Sequence, residues 1–89
     1  MATLTKCVCV WHDQSFSGPR EWVVSIDEID LATESTDTTS TLSGWESEAM
    51  ARDEAKRQGR RLGLSVYLLV NAADDGYGRG NRHELIQGA

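Results

Sequence analysis

The chain has 89 residues, with 14 acidic and 9 basic side chains and a formal net charge of −5. This length supports one domain with one thin core, and the negative charge argues against a general binder of nucleic acid or anionic membranes. The sequence contains neither the apolar stretch of a signal peptide nor the run of roughly 20 apolar residues that a membrane span needs. We therefore expect one cytoplasmic domain over residues 1–89, without a membrane partner, in which cysteines stay reduced.

The first part of the chain predicts two strands. Residues 4–12 and 20–29 are rich in β-branched and aromatic side chains, which favour strands. Alternation along the first strand places Cys7 and Cys9 on one face and the neighbouring valines on the other. The turn residues around Gly18 join the two strands as an antiparallel pair.

The next segment, residues 30–43, contains five threonines and three serines between Thr33 and Ser43. Threonine favours strands through its packing, whereas low hydrophobicity combined with acidic residues favours a loop. We expect a Ser/Thr-rich acidic loop at about residues 30–43. A short strand from Thr38 to Leu42 within this loop is left open.

A helix is predicted after this loop. Ser43 is the expected N-cap, and Glu46 three residues later completes a capping box. Small side chains such as Ala55 align on one face, where they let a helix lie close to a sheet. Gly63 has the position of a C-terminal cap.

Two strands complete the chain. Residues 64–71 form a nearly continuous apolar run, typical of a central strand, and residues 82–87 form a short edge strand after a glycine-rich turn. The order β-β-α-β-β predicts an α+β fold, an antiparallel sheet of about four strands with one helix packed on it. The expected core residues are Trp22, Val24, Ala55, Leu62, Val66, Leu68 and Val70.

Three stretches resemble small bacterial β-β-α-β-β domains of unknown function: EWVV, EAMARDEAKRQGRRLGLSVYLLV and DDG. The resemblance covers residues 20–87, implies the fold alone and transfers no site; the first strand and the threonine-rich segment depart from it. In size, charge and lack of motifs the chain is also similar to phage-encoded inhibitors, including anti-CRISPR proteins and DNA mimics. That similarity implies an inhibitor that blocks a basic, nucleic-acid-binding protein surface.

Charge is distributed unevenly along the chain. No Lys, Arg or His occurs from Glu21 to Ala51, a run of 31 residues that holds eight of the 14 acids. Plain solvation of a loop explains such a run, and so does a fixed negative surface that steers a basic partner. The second interpretation gives the leading hypothesis, a non-enzymatic module that binds a basic protein surface, with its oligomeric state open. Its candidate partner-binding residues are Asp27, Glu28, Asp30, Glu34, Asp37, Glu46 and Glu48.

The first alternative is a small nucleic-acid-binding module that uses the basic end of the helix. A basic helix face can bind phosphates, although cations at a helix C-terminus also complement the macrodipole and pair with neighbouring acids. The residues concerned are Arg52, Lys56, Arg57, Arg60 and Arg61.

The second alternative is an enzyme that uses His12 or His83, each of which precedes an acid. General acid–base catalysis needs a histidine aimed at a substrate, and neighbouring outer strands would bring the two together. The sequence places no nucleophile beside them. Cys7 and Cys9 with His12 also offer zinc ligands, but three ligands at this spacing favour packed thiols, so we expect neither a metal nor a cofactor.

Overall fold

The computed structural model describes residues 4–13, 21–33, 35–71 and 81–89. Within these ranges the chain forms five strands and one helix, in the order β-β-β-α-β-β. The glycine-rich turn expected before the last strand falls almost entirely outside them. The elements are β1 (Thr5–Asp13), β2 (Glu21–Asp30), β3 (Ser35–Trp45), α1 (Glu48–Leu62), β4 (Val66–Asn71) and β5 (Asn81–Gln87).

The strands form one sheet in the order β3-β2-β1-β4-β5. Neighbouring strands are antiparallel except β1 and β4, which are parallel. The predicted α+β class with one helix on a sheet is confirmed, but the sheet has five strands of mixed direction and not about four antiparallel ones. The direction follows from connectivity: β3 runs parallel to β1, and α1 returns the chain to the starting end, so β4 again runs parallel to β1.

The prediction of a loop at residues 30–43 is wrong over most of its length, because most of this segment belongs to β3. The strand pairs with β2 from Asp30↔Ser35 to Trp22↔Trp45, with register shifts at two places. At the second shift, the Thr39 hydroxyl donates to the Ile26 carbonyl at 2.9 Å. Threonine therefore follows its strand preference, and the Thr39 hydroxyl satisfies the Ile26 carbonyl where the ladder is interrupted.

The helix begins four residues later than predicted. Ser47 is the N-cap, and its hydroxyl accepts a hydrogen bond from the Met50 backbone N–H. Ser43 instead lies in β3, where its hydroxyl accepts from Trp45 Nε1 at 2.8 Å, because the strand continues until Trp45 pairs with Trp22. The predicted C-terminal cap is confirmed: Gly63 has φ 69°, in the left-handed region.

The main core lies between α1 and one face of the sheet. Ala51, Ala55 and Gly59 are the buried residues of the helix, and they allow its backbone to lie near the strands. The prediction that Leu62 belongs to the core is wrong, since its side chain is 37% exposed at the end of the helix. Trp22 and Val70 are half-buried against this core, whose buried members are Val8, Val10, Val24, Ala51, Ala55, Val66 and Leu68.

The other face of the sheet, here named the thiol face, is also buried although α1 does not cover it. Its central residues Cys7, Cys9, Ser25, Asp27 and Ile29 are each 0% exposed. Trp11 and Tyr67 pack against them.

Strong curling of the sheet accounts for part of this burial. Five strands in a flat sheet would hold β3 and β5 about 19 Å apart. Instead, Thr36 Oγ1 of β3 lies 2.7 Å from His83 Nε2 of β5. Thr36 pairs with Ile29 and His83 with Leu69, positions whose side chains point to the thiol face. The sheet therefore wraps around the thiol face until its two edges meet at this contact.

Candidate functional site

Two of the predicted partner-binding acids are buried, which corrects the expected acidic surface. Asp27 is 0% exposed and pairs with Cys7 across β1 and β2, so its side chain belongs to the thiol face. Asp30 is 7% exposed, and its Oδ1 accepts hydrogen bonds from the Ala32 and Thr33 N–H groups at 2.9 and 3.4 Å. The carboxylate of Asp30 therefore stabilises the turn after β2 and is largely withdrawn from the surface.

Glu28 and Asp37 do lie together at the surface. They are directly opposite each other in the β2–β3 pairing, Asp37 is exposed and Glu28 is half-exposed. Directly opposed like charges destabilise a sheet. Lys6 opposes Glu28 from the β1 side and offsets part of that repulsion. This pair is the part of the predicted acidic surface that the fold brings together.

The remaining predicted acids lie elsewhere. Glu46 is exposed and Glu48 is half-exposed, and both follow the Trp45 end of β3. Asp37 lies eight residues before Trp45 in this strand, a distance of roughly 25 Å. Glu48 also pairs with Arg52, at 3.4 Å. Glu34 lies outside the described residues. The acidic side chains therefore form two separate groups and not one continuous face.

The basic residues predicted for nucleic acid lie along the outer side of α1, and most contact polar neighbours of the fold. Arg57 pairs with Glu54, and Nε and Nη2 of Arg61 donate to Gln58 Oε1 at 2.9 and 2.7 Å. Hydrogen bonds from Arg57 and Gln58 lower the pKa of Glu54.

The end of β5 contacts the same basic helix. The Arg60 guanidinium donates to Gln87 Oε1 at 3.2 Å, and Gln87 Nε2 donates to the Lys56 carbonyl at 3.1 Å. These contacts give the cations of α1 a role in the helix and in its packing against β5.

The strands of the two histidines, β1 and β5, are separated by β4, and His12 and His83 lie on opposite faces of the sheet, so the condition under which they would meet is not fulfilled. His12 stacks on Trp22 with ring centroids 4.6 Å apart, on the face that carries α1. His83 contacts Thr36 and lies edge-on to Tyr67 at 6.4 Å on the thiol face. His12 is also separated from both cysteines by the sheet, because residues of odd and even number point to opposite faces.

A polar cluster at the thiol face is the feature that sequence reasoning missed. Trp11 Nε1 donates to Ser25 Oγ at 3.0 Å, and Ser25 donates to Asp27 Oδ1 at 2.7 Å. The Cys7 and Cys9 sulfurs are 3.6 Å apart beside it. The chain of donors fixes the position of the Asp27 carboxylate. The alternation of side chains along β1 and β2 predicts which residues share a face. It does not predict that Cys7 lies beside Asp27, because that depends on the register between the two strands.

The two thiols share one environment. The hydrogen bond with Cys7, burial and the charge of Asp27 all raise the pKa of the Cys9 thiol. The same hydrogen bond between the two thiols lowers the pKa of Cys7, and both cysteines are free in this structure. Among the described residues, no group of three or more His, Cys, Asp or Glu side chains has positions that would hold a metal ion.

Comparisons with protein-family models, with curated proteins and with solved structures each find no match to this chain. In the described part of the chain, no helix is long and apolar enough to cross a membrane.

Proposed function

We propose that the chain is a small, non-enzymatic protein-interaction module whose β2–β3 hairpin binds a basic surface on a protein partner. One observation carries the proposal: the segment without positive side chains, residues 21–51, contains the paired strands β2 and β3 and the first turn of α1. An ordered backbone fixes the positions of charges relative to one another, which a solvated loop does not do. Fixed charges of one sign steer a partner of the other sign and set its orientation.

The Glu28–Asp37 pair is the proposed centre of this surface. The two carboxylates repel each other within the sheet, and a partner's cation between them would remove that repulsion. Leu4 and Leu31, 54% and 45% exposed, lie at the neighbouring ends of β1 and β2. In a protein interface, apolar side chains form the core and polar or charged side chains the rim, and these leucines would supply the apolar part beside the charged pair.

Binding through side chains fits β3 better than addition of a partner strand. Two register shifts interrupt the pairing of β3 with β2, and bulges of this kind protect edge strands from pairing with other chains. The contact of Thr36 with His83 also occupies one end of β3. The partner that this surface suits is therefore a folded protein with a basic patch, such as one that binds nucleic acid.

The experiment compares two charge-reversal variants that change the net charge equally. Glu28→Lys with Asp37→Lys alters the proposed surface, and Asp53→Lys with Glu84→Lys alters exposed acids outside the hairpin. Proteins that the immobilised chain retains from an extract of its native cell are identified by mass spectrometry, and their association with each variant is then timed. We expect the hairpin variant to associate more slowly and with a weaker salt dependence, and the control to resemble the native chain.

Unchanged association kinetics in a folded hairpin variant would contradict the proposal. The nucleic-acid alternative makes a different prediction for the native chain. Duplex DNA or RNA would bind with an affinity that falls steeply with salt, and Lys56→Glu with Arg60→Glu would remove that binding.

A further inference from the structure

Cys7 and Cys9 form a pair of thiols within a single strand. They lie two residues apart on the thiol face, with their sulfurs 3.6 Å from each other. Both thiols are free, and both residues are 0% exposed. Oxidation of the pair would join the sulfurs in a disulfide whose ring contains one intervening residue. The conformation of β1 decides whether the folded chain can hold that bond.

The geometry of a strand and the geometry of a disulfide differ at this spacing. Residues two apart in a strand have Cα atoms about 6.4 to 6.8 Å apart. Their Cβ atoms point to the same face and lie at a similar distance from each other. A disulfide needs Cβ atoms about 3.5 to 4.5 Å apart. The reduced sulfurs can lean toward each other, but the two Cβ atoms must approach by roughly 2 Å before the bond forms.

Both the neighbouring strands and the core oppose that approach. Cys7 and Cys9 each pair with a residue of β2, and Cys9 also pairs with a residue of β4. Val8, between the cysteines, points to the opposite face, where it is 0% exposed in the core beneath α1. Drawing the two Cβ atoms together sharpens the pleat at Val8 and pushes its side chain toward α1. The movement therefore disturbs two ladders and overpacks the core.

We propose that Cys7 and Cys9 form a redox-sensitive switch: the fold requires the dithiol, and a disulfide between the two cysteines breaks the pairing of β1 with its neighbours. Because β1 is the central strand of the sheet, its loss removes the connection between the two halves of the fold. A crosslink stabilises a protein by restricting the unfolded chain, and a ring this short restricts it little. The switch does not depend on the proposed acidic interaction surface.

A disulfide oxidant such as oxidised glutathione balances the reaction. One cysteine attacks the oxidant and forms a mixed disulfide, which releases the first glutathione thiol. The second cysteine then attacks the cysteine sulfur of that mixed disulfide and releases the second one. The two cysteines lose two electrons and two protons in total, and both pass to the two glutathione molecules. Since the thiols are buried, the exchange proceeds through local opening of β1.

The coupling between folding and oxidation is reciprocal. The factor by which the disulfide destabilises the fold equals the factor by which folding opposes the disulfide, because the four states form a closed thermodynamic cycle. We expect the equilibrium constant for disulfide formation to be at least roughly a hundredfold lower in native buffer than in concentrated urea, because a disulfide away from its preferred geometry stores strain of that order.

Two measurements on the native sequence test the proposal. In the first, the chain is equilibrated with mixtures of reduced and oxidised glutathione, with and without urea, and mass spectrometry after alkylation of free thiols gives the fraction of intrachain disulfide. In the second, chain oxidised in urea is returned to native buffer and heated. We expect it to lack the cooperative transition that the reduced chain shows in circular dichroism, and we expect dithiothreitol to restore that transition.

The control is the double variant Cys7→Ser with Cys9→Ser, whose thermal transition should not respond to the same oxidation and reduction. An oxidised native chain that melts cooperatively at the temperature of the reduced chain would overturn the proposal. Equal disulfide formation in native buffer and in urea would do so as well, and so would an equal loss of the transition in the oxidant-treated double variant. If the double variant does not fold, the reversal by dithiothreitol in the native chain provides the control.

Discussion

At the scale of single residues, Ser25 has the most connected position in the thiol face. Its hydroxyl accepts from Trp11 Nε1 and donates to Asp27 Oδ1, at 3.0 and 2.7 Å. Serine is 0% exposed here, so water does not replace either partner. One small side chain therefore satisfies an indole and a carboxylate at the same time.

Removal of the Ser25 hydroxyl should destabilise the protein. We expect Ser25→Ala to lower the free energy of unfolding by roughly 2 to 4 kcal/mol, because it leaves a donor and an acceptor without their partner. Ser43→Ala is the matched control: it removes a single hydrogen bond to Trp45 Nε1 in a less buried place, and we expect roughly 1 kcal/mol or less. Urea unfolding measures the free energy of unfolding of both variants. An equal decrease in Ser25→Ala and Ser43→Ala would contradict the connected position of Ser25.

At the scale of elements, the approach of α1 to the sheet depends on Gly59. A Cβ at this position would lie 2.6 Å from Val66 Cγ2 and 2.9 Å from the Leu64 carbonyl oxygen. The second neighbour is backbone of the turn that leads into β4, so it cannot move aside as a flexible side chain would. The helix therefore crosses β4 at a distance that only glycine allows.

The ordinary effect of glycine replacement in a helix should be reversed at this position. Alanine normally stabilises a helix interior by about 1 kcal/mol relative to glycine. We expect Gly59→Ala to destabilise the protein by roughly 1 to 3 kcal/mol, the usual cost of overpacking.

Asp53→Ala, at an exposed site of the same helix, serves as the control for Gly59→Ala and should change stability by no more than about 0.5 kcal/mol. Thermal unfolding followed by circular dichroism gives both values. A more stable Gly59→Ala variant would show that the helix and β4 are farther apart than described.

At the scale of the whole molecule, the sheet separates two buried layers of different chemistry. The layer beneath α1 is aliphatic, with Val8, Val24 and Leu68 among its members. The thiol face contains cysteines and a polar cluster, and the curl of the sheet helps to bury it. The β2–β3 hairpin lacks cations, whereas α1 carries five of the nine basic side chains of the chain.

Stability should depend on the aliphatic layer. Leu68 is 8% exposed within it, whereas Leu85 on the edge strand is 61% exposed. We expect Leu68→Ala to cost roughly 2 to 5 kcal/mol and Leu85→Ala to stay within about 0.5 kcal/mol. Chemical denaturation measures both. A large loss in Leu85→Ala would indicate that β5 is covered in solution, which would call for a search for a second chain at this edge.

The acidic hairpin could be predicted only in part. The absence of cations from residues 21–51 is visible in the sequence, but the side to which each acid points depends on strand parity and register. Asp27 and Glu28 are neighbours in the chain, yet the first is buried beside Cys7 and the second opposes Asp37. The polar composition of the threonine-rich segment predicts a loop, but pairing with β2 outweighs that composition.

The sequence by itself determined the α+β class, β1, β2, β4 and β5 as strands, the C-terminal cap at Gly63 and the small-residue face of the helix. These features depend on local alternation, on glycine conformation and on side-chain size, which are properties of short segments. Tertiary structure alone decided the fifth strand, the parallel pairing of β1 with β4, the curl of the sheet and the meeting of Asp27 with the two cysteines. Each of these requires contacts between segments far apart in the chain, and their energies depend on register and burial that local sequence does not contain.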